Sequence, residues 1–315
     1  MATLASVRKA YGEALVELGA ANPNVVALSA DVCNSDFSYM FEERFPERFF
    51  NTGIAEPCLV DVAAGFAKSG HIVFANTFAF LFELRALEQI RTSVCFTKDN
   101  VKFAATYAGV SDSFDGPTHH SITDIAIMRA LPNMTVVVVA DAVEAKQAVP
   151  AVAAYAGPVY LRLSRAEAPV IFDSSHPFEM GKAVLLRPGG DVTLIATGIM
   201  VGRALEAADA LAKEGVTARV LEMHTIKPLD SAAVVAAARE TGAIVTAEEH
   251  TIIGGLGGAV LEALAEVHPV PVVRVGIHDR FTETGPYFTM LDRLGLGVQN
   301  IVGGARSAIR LRRKL

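Results

Sequence analysis

The sequence predicts an α/β protein of two domains, each built on a parallel sheet. Apolar residues at helical spacing alternate with short runs of Val, Ile and Leu along almost the whole chain. Uninterrupted apolar runs between helices indicate strands that are covered on both faces, as in a parallel sheet. The chain has 315 residues, and 51% of them are hydrophobic. This length corresponds to about two domains, each with its own core.

The first half begins with a predicted amphipathic helix. Its apolar residues recur at steps of three and four, at Leu4, Val7, Tyr11, Leu15 and Leu18. Strands and helices then alternate. The predicted strands cover residues 25–28, 72–75, 103–106, 136–139 and 159–163, and the predicted helices cover residues 58–68, 82–94, 123–130 and 142–154.

The alternation lapses between residues 167 and 190, where Pro and Gly predict a linker. It then resumes in the second half and ends in a helical tail. The predicted strands there cover residues 192–196, 218–221, 244–247 and 272–275, and the predicted helices cover residues 202–213, 231–240 and 257–267. We therefore predict one domain at residues 1–168 and another at residues 190–315.

Composition and motifs exclude several classes of function. Lys and Arg number 28 against 34 Asp and Glu, a net charge of −6, and no basic cluster is long enough to bind nucleic acid. No apolar run is long enough to cross a membrane. The sequence has no P-loop, and its best match to a dinucleotide-binding turn fails at Val260, where a third glycine is required. Three widely spaced cysteines predict no disulfide framework and fit a cytoplasmic location.

Two stretches in the first half pair a structural signal with chemistry. Gly-Ile-Ala-Glu-Pro at residues 53–57 opens a predicted helix, with Pro57 in the first turn and Glu56 at the cap. Glu56 either complements the helix dipole or presents a carboxylate to a cleft. Thr-Phe-Ala-Phe-Leu-Phe at residues 77–82 starts at the carboxyl end of a predicted strand, where parallel sheets bind ligands. Its rings are either core residues or a stacking surface for a flat heterocycle.

A third stretch, residues 112–120, is unusually dense in polar groups for a surface loop. It contains two carboxylates, two hydroxyls and two imidazoles, and Gly116 and Pro117 impose a turn. His119 and His120 are a candidate zinc pair. However, adjacent histidines on a loop lack the helical His-x-x-x-His geometry, and no third ligand is evident. We therefore predict no metal ligands in this chain.

Taken in order, Gly-Ile-Ala-Glu-Pro, Thr-Phe and Asp-Gly-Pro-Thr-His resemble the transketolase family. The resemblance is to the C-terminal section of a transketolase, its pyrimidine-binding domain followed by its C-terminal domain, and it covers essentially the whole chain. Residues 191–198 and 245–258 are similar to the last domain. The resemblance implies thiamine diphosphate as the cofactor and the transfer of a two-carbon ketol unit between sugars or sugar phosphates.

The resemblance also implies roles for individual residues. Glu56 would hydrogen-bond N1′ of the aminopyrimidine ring and stabilise its imino tautomer, which requires a carboxyl group whose pKa is raised by desolvation. Phe78 would stack on that ring and Leu81 would add an apolar wall. Asp31 would face the cofactor across a subunit boundary. His119 would be a second catalytic residue, in contact with substrate hydroxyls and the reaction intermediate.

Four further positions would bind the substrate by the same resemblance. Asp115 would recognise a sugar hydroxyl, and the guanidinium of Arg165 would bind a phosphate. Ser35 is a looser match to a phosphate contact. Tyr107 stands where the family often has a histidine, and a neutral donor binds phosphate more weakly than a charged imidazole. The resemblance leaves open which sugars react, whether apulose 4-phosphate or a common pentose phosphate.

A complete transketolase also has an N-terminal domain, in which a Gly-Asp-Gly motif and a later Asn hold magnesium and the diphosphate. This sequence has no such motif. The resemblance therefore implies one subunit of a split transketolase that is inactive alone, with a diphosphate-binding partner chain in an α2β2 heterotetramer. The alternatives are the β subunit of a 2-oxo acid dehydrogenase, a 1-deoxyxylulose 5-phosphate synthase-like enzyme, and a scaffold with a vestigial site.

Overall fold

The computed structural model describes residues 3–314, which form fourteen strands and thirteen α-helices. The strands are β1 (Leu4–Ser6), β2 (Val25–Ser29), β3 (Phe49–Asn51), β4 (Ile72–Phe78), β5 (Val101–Thr106), β6 (Thr135–Val138), β7 (Val159–Arg162), β8 (Glu167–Pro169), β9 (Val184–Arg187), β10 (Val192–Ala196), β11 (Ala218–Glu222), β12 (Thr225–Lys227), β13 (Ile244–Thr251) and β14 (Val272–Ile277). The helices are α1 (Val7–Ala21), α2 (Cys33–Asp36), α3 (Tyr39–Arg44), α4 (Glu56–Lys68), α5 (Ala79–Leu84), α6 (Leu87–Gln89), α7 (Asp124–Ala130), α8 (Ala142–Ala154), α9 (Met200–Ala212), α10 (Ser231–Thr241), α11 (Leu256–Ala265), α12 (Tyr287–Arg293) and α13 (Val298–Arg312).

The first half forms most of a seven-stranded sheet in the order β12-β6-β7-β5-β4-β2-β3. Its strands are parallel except β12, which pairs antiparallel with β6. Because the strands are parallel, their carboxyl ends lie along one edge. At this edge, Ser29 pairs with Asn51 and Asn76 of the neighbouring strands, and Phe78 pairs with Thr106. This edge is where ligands of open α/β sheets bind.

The second half forms a five-stranded sheet in the order β14-β13-β10-β11-β9. All its pairs are parallel except β9 with β11. The two halves share two buried apolar clusters. Val137 and Ala148 belong to the same cluster as Leu194 and Met200, and Val136 belongs to the other cluster together with Ile195. The mainly parallel sheets confirm the predicted fold class, while the boundaries at residues 168 and 190 stay a prediction.

The prediction of a linker between residues 167 and 190 is wrong in part, because two strands lie inside it. β8 pairs antiparallel with β1 near the start of the chain, and β9 pairs antiparallel with β11. Both strands are short and lie at sheet edges, where neighbouring Pro and Gly residues are tolerated and mask the strand signal.

Two predicted helices also differ from the structure. Leu4 lies in β1 and is exposed, because Ser6 caps α1 by accepting a hydrogen bond from the Lys9 backbone N–H. The predicted helix at 82–94 is divided into α5, α6 and a π-helical turn at Ile90–Cys95. Apolar periodicity carries no signal for this division. Within residues 3–314, none of the helices has both the length and the apolar character needed to cross a membrane.

Candidate active site

Glu56 is a buried carboxyl at the start of α4. The structure places Ala55 at the cap and Glu56 at the first helical position, so the cap lies one residue earlier than predicted, and Pro57 follows in the first turn. Glu56 is only 2% exposed. Its Oε1 accepts a hydrogen bond of 3.3 Å from Nη1 of Arg85, which lies just after α5. Its burial at the ligand-binding edge of the sheet favours the cleft interpretation over a purely local effect on the helix dipole.

The rings of Phe78 and Tyr107 stack beside each other at this edge. Phe78 ends β4, and Tyr107 directly follows β5, the neighbouring strand. The ring centroids are 4.0 Å apart with an interplanar angle of 27°. Phe78 is half-buried, whereas Phe82 is fully buried and packs edge-on against Phe103 in the core. Phe82 is therefore a core residue, while Phe78 keeps surface available for a ligand.

Leu81 and Phe80 extend this apolar surface along α5. Leu81 is buried, and Phe80 is half-buried with its ring centroid 5.0 Å from that of His119. The contact between Arg85 and Glu56 ties the end of α5 to the start of α4. Neighbouring elements at this edge of the sheet therefore supply a carboxyl group, two aromatic rings and a leucine.

Two arginines flank Tyr107, and with Asp112 they form what we term the edge cluster (Arg8, Tyr107, Asp112 and Arg165). The guanidinium carbons of Arg8 and Arg165 lie 4.9 and 5.3 Å from the Tyr107 ring centroid. Nη1 of Arg8 donates to the Tyr107 hydroxyl at 3.2 Å and to the Ser35 carbonyl. Two guanidinium groups on one aromatic ring are suited to binding an anion.

Asp112 places a carboxyl group inside the edge cluster. Its Oδ1 lies 3.3 Å from Nε of Arg165, and the side chain is buried. Burial and the neighbouring carboxyl group of Asp115 raise the pKa of Asp112 to about 7, against the opposing effect of Arg165. Asp112 therefore competes with any bound anion for Arg165 when it is ionised.

His120, which follows His119, anchors the loop that carries Asp115 and His119. Nδ1 of His120 lies 2.6 Å from Oγ1 of Thr282, and Nε2 lies 3.0 Å from the Asp112 carbonyl oxygen. Since both ring nitrogens have protein partners, His120 is a structural residue. His119 is half-buried with Nδ1 3.0 Å from Oγ1 of Thr118, and Asp115 is exposed. Both remain free to meet a substrate.

Asp31 and Ser35 lie at the same edge but have mainly local contacts. The Asp31 carboxylate accepts a hydrogen bond of 2.9 Å from Nδ2 of Asn51, which joins the ends of β2 and β3. Asn51 also accepts from the Gly53 backbone N–H at 2.9 Å, so it shapes the turn that leads to Glu56. Ser35 contributes its backbone carbonyl to Arg8.

Comparison with known protein families decides the identity of the fold. Residues 4–170 match the family model of the transketolase pyrimidine-binding domain, and residues 181–301 match that of the transketolase C-terminal domain. This chain belongs to the transketolase family. The predicted resemblance to the C-terminal section of a transketolase is thereby confirmed.

Three transketolase-family relatives cover nearly all of this chain. The putative transketolase C-terminal section of Methanocaldococcus jannaschii is 43% identical over 298 residues, which are 94% of this chain and 93% of that protein. The 6-deoxy-6-sulfo-D-fructose transketolase subunit SqwH of Clostridium sp. strain MSTE9 is 42% identical over 299 residues, or 95% and 93%. A split-gene transketolase solved as an inactive β4 tetramer is 49% identical, with a TM-score of 0.92 over 98% of this chain and 99% of that one.

Arg8 was not among the predicted site residues of this transketolase-family chain. Arg8 is 157 residues from Arg165 in the sequence, and only the tertiary fold brings the two to Tyr107. One signal was available, because Arg8 lies in the first turn of α1, where a cation is disfavoured by the helix dipole. A charge in an unfavourable position indicates a function other than helix stability.

The second half of the chain positions the loop that carries Asp115 and His119, which we term the site loop (residues 109–120), and the sequence did not predict this role. Oε1 of Glu249 accepts a hydrogen bond of 2.8 Å from the Val110 backbone N–H. Gly109 has a φ of +65°, and a Cβ at this residue would collide with the Glu249 carboxyl group. Gly116 has a φ of +84°, and its Cβ would lie 2.5 Å from Oγ1 of Thr284. Only glycine permits both close approaches.

Proposed function

We propose that this chain is one subunit of a thiamine diphosphate-dependent transketolase that transfers a two-carbon ketol unit between sugar phosphates. The observation that carries the proposal is the buried carboxyl of Glu56 beside an accessible aromatic surface at the ligand-binding edge of the sheet. Membership of the transketolase family and the similarity to named transketolase subunits support it. We also propose that the reaction takes place in the cytoplasm, in keeping with three free cysteines.

The residues at this edge fit the pyrimidine half of thiamine diphosphate. When bound, the cofactor supplies the nucleophilic carbon and the electron sink needed to break the bond beside a ketose carbonyl. Glu56 would hold a ring nitrogen by a hydrogen bond and exchange a proton with it, because its carboxyl group is buried at the ligand-binding edge. Phe78 and Leu81 would hold the flat ring and exclude water. Asp31, at the end of β2, would face the cofactor from the subunit boundary.

The substrate would lie over the edge cluster and the adjoining loop. Arg165 would bind a phosphate, with Tyr107 and Ser35 contributing weaker polar contacts. Asp115 would bind a sugar hydroxyl. His119, whose ring is half-buried beside Phe80, would hold the hydroxyl next to the reacting carbonyl. An imidazole ring can both accept and donate a proton, so His119 would also accept or return the proton of that hydroxyl.

We propose that a second polypeptide completes the site by binding the diphosphate and magnesium, and that the assembly is an α2β2 heterotetramer. Ile54 is two residues before Glu56 in the chain and Leu84 directly precedes Arg85, and their side chains are 77% and 67% exposed. Exposed apolar side chains beside a functional carboxyl group favour burial against a partner. The solved split-gene transketolase, described as an inactive β4 tetramer, supports the expectation that this chain is inactive alone.

The test is reconstitution with a diphosphate-binding chain that carries a Gly-Asp-Gly motif, encoded in the same genome. We expect turnover of a ketose phosphate and an aldose phosphate by the mixture and by neither chain alone. Glu56→Gln should lower kcat by about 10²- to 10⁴-fold, because the variant keeps its shape but cannot exchange the proton. The thermal unfolding temperature of the variant chain should change little.

Glu206→Gln is the matched control, since Glu206 is exposed on α9 away from this edge, and it should leave kcat unchanged. Near-normal turnover by Glu56→Gln would remove Glu56 from the mechanism. If the mixture instead decarboxylates pyruvate and does not cleave ketose phosphates, the chain is a 2-oxo acid dehydrogenase or 1-deoxyxylulose 5-phosphate synthase-type subunit, and the proposal is wrong.

A further inference from the structure

A second cluster of ligand-type side chains lies away from the candidate active site. It consists of Glu144 in the first turn of α8, Glu222 at the end of β11, and His176 in the segment between β8 and β9. One carboxylate oxygen from each glutamate and one ring nitrogen of His176 all lie within 4.8 Å of one another. Three separate parts of the chain therefore converge on one point, which we term the EHE cluster (Glu144, His176 and Glu222).

The surrounding residues hold the EHE cluster in place. Asp141 caps α8, with Oδ1 accepting from the Glu144 backbone N–H at 2.8 Å. Its Oδ2 accepts from the backbone N–H groups of Ile171 and Phe172 at 2.6 and 2.9 Å, which fixes the start of the connecting segment. The ring of His176 then stacks on Phe172 at 3.9 Å with an interplanar angle of 17°. The arrangement is built into the fold and does not depend on loose surface side chains.

Several buried polar atoms of this region lack a hydrogen-bond partner among residues 3–314. These atoms are Oε1 of Glu144, both carboxylate oxygens of Glu222, and Nε2 of His176 and His224. Glu144, Glu222 and His224 are fully buried. Buried polar atoms without partners are costly and rare in folded proteins, so their grouping here points to a bound ligand.

Two explanations compete for the two carboxyl groups. Both carboxyl groups are fully buried, and one oxygen of each lies within 4.8 Å of the other. The pair therefore requires either a shared proton or a cation. A shared proton satisfies one oxygen of each carboxyl group and, in this geometry, leaves Nε2 of His176 without a partner. A cation satisfies the oxygens and an imidazole together, so the presence of His176 favours the cation.

We propose that Glu144, His176 and Glu222 bind a divalent transition-metal ion, for which zinc is the probe. Carboxylate oxygens and imidazole nitrogens are a regular zinc ligand set, and imidazole disfavours magnesium and calcium. The ion fastens the connecting segment to a helix of the first half and a strand of the second. It is separate from the magnesium expected in the partner chain, and the proposal does not rest on the proposed function. No sequence motif indicates this site, because the three ligands lie far apart in the chain.

Metal content of the purified full chain tests the proposal. The chain is stripped with a chelator, incubated with zinc chloride and desalted, and zinc per chain is measured by mass spectrometry. We expect about one zinc per wild-type chain, a loss of about tenfold or more in Glu222→Gln and His176→Gln, and no change in the control Glu206→Gln. Zinc should also raise the thermal unfolding temperature of the wild type by about 3 °C or more, and not that of Glu222→Gln.

X-ray absorption at the zinc edge identifies the ligands. A first shell of nitrogen and oxygen at about 2.0–2.2 Å supports the proposal, whereas sulfur at about 2.3 Å would assign the zinc to a cysteine and overturn it. Equal zinc content in the wild type and in a folded Glu222→Gln variant would also overturn it. So would a wild type that binds no zinc while Glu222→Gln is more stable, since that result indicates a shared proton. None of these measurements depends on turnover.

Discussion

Arg162 and Arg165 are three residues apart at the end of the same strand, yet their surroundings differ completely. Arg162 is 4% exposed, and its Nε donates to Oδ2 of Asp124 at 2.7 Å. Its Nη2 donates to the backbone carbonyls of Ser121 and Glu249 at 3.2 and 3.0 Å. Arg165 has a side chain 38% exposed, with one ionic contact of 3.3 Å to Asp112.

The difference separates a charge that stabilises the fold from a charge that is available to a ligand. Arg162 is buried and donates three hydrogen bonds to partners from both halves of the chain, so its guanidinium group is committed to the fold. Arg165 keeps donors directed to solvent at the edge of the sheet, and Arg8 adds a second guanidinium group there. Pairing and burial therefore distinguish the two roles better than charge alone.

Removing Arg162 should have the largest effect on stability. Arg162→Met leaves the buried Asp124 carboxylate without its cation, in a region that already holds the buried Glu83. Burial, and after it the charge of Asp124, raise the pKa of Glu83 to about 8. We expect the free energy of unfolding to fall by about 3–5 kcal/mol. Denaturant unfolding of the isolated chain, followed by circular dichroism, measures it.

The matched control is Arg187→Met. Arg187 pairs with Asp209 at the same distance of 2.7 Å, but the two side chains are 34% and 63% exposed. An exposed pair contributes at most about 1 kcal/mol. Equal losses of stability in the two variants would mean that burial does not distinguish the two ion pairs, and the comparison would fail.

The sequence predicted most of the helices and strands that have a periodic apolar pattern. It predicted few of the contacts between residues that are distant in the chain. Glu56, Phe78 and His119 lie in short motifs whose order along the chain resembles the transketolase family, so one sequence was enough to predict them as site residues. The edge strands β9 and β12 have three or four residues and no periodic signal, and they were missed. Leu4 was misassigned because the Ser6 cap outweighs apolar spacing.

The rest of the candidate site depends on tertiary contacts. Arg8 reaches Tyr107 from the first helix, and Glu249 supports the site loop from the second half. Neither residue belongs to a motif that names its partner. Local sequence specifies which side chains stand at a strand end, whereas only the packed fold specifies which distant charges meet them.

Removing Arg165 should have an intermediate effect, on substrate binding and not on stability. Arg165→Ala in the reconstituted enzyme should raise KM for a phosphorylated substrate by about 10- to 100-fold, because a charge-assisted hydrogen bond contributes about 1.5–3 kcal/mol. KM for the same sugar without phosphate should not change. Arg239→Ala, an exposed arginine on α10, is the control. An equal rise for both substrates would exclude Arg165 as the phosphate ligand.

The smallest effect, and the finest test of the comparison, concerns Asp112. Its raised pKa of about 7 means that it is neutral below that pH and negatively charged above it. When charged, it pairs with Arg165 and, with Asp115, repels an anion that Arg8 and Arg165 attract. Sulfate keeps a constant charge in this pH range, so it is a suitable inhibitor for the test. Its inhibition of the reconstituted enzyme should weaken by about two- to fivefold as the pH rises through 7. A partly exposed ion pair is expected to have an effect of this size. Asp112→Asn should abolish this dependence and retain the stronger inhibition at high pH. A wild-type inhibition constant that does not change with pH would show that Asp112 does not compete for Arg165, and that Arg165 is available to anions at every pH.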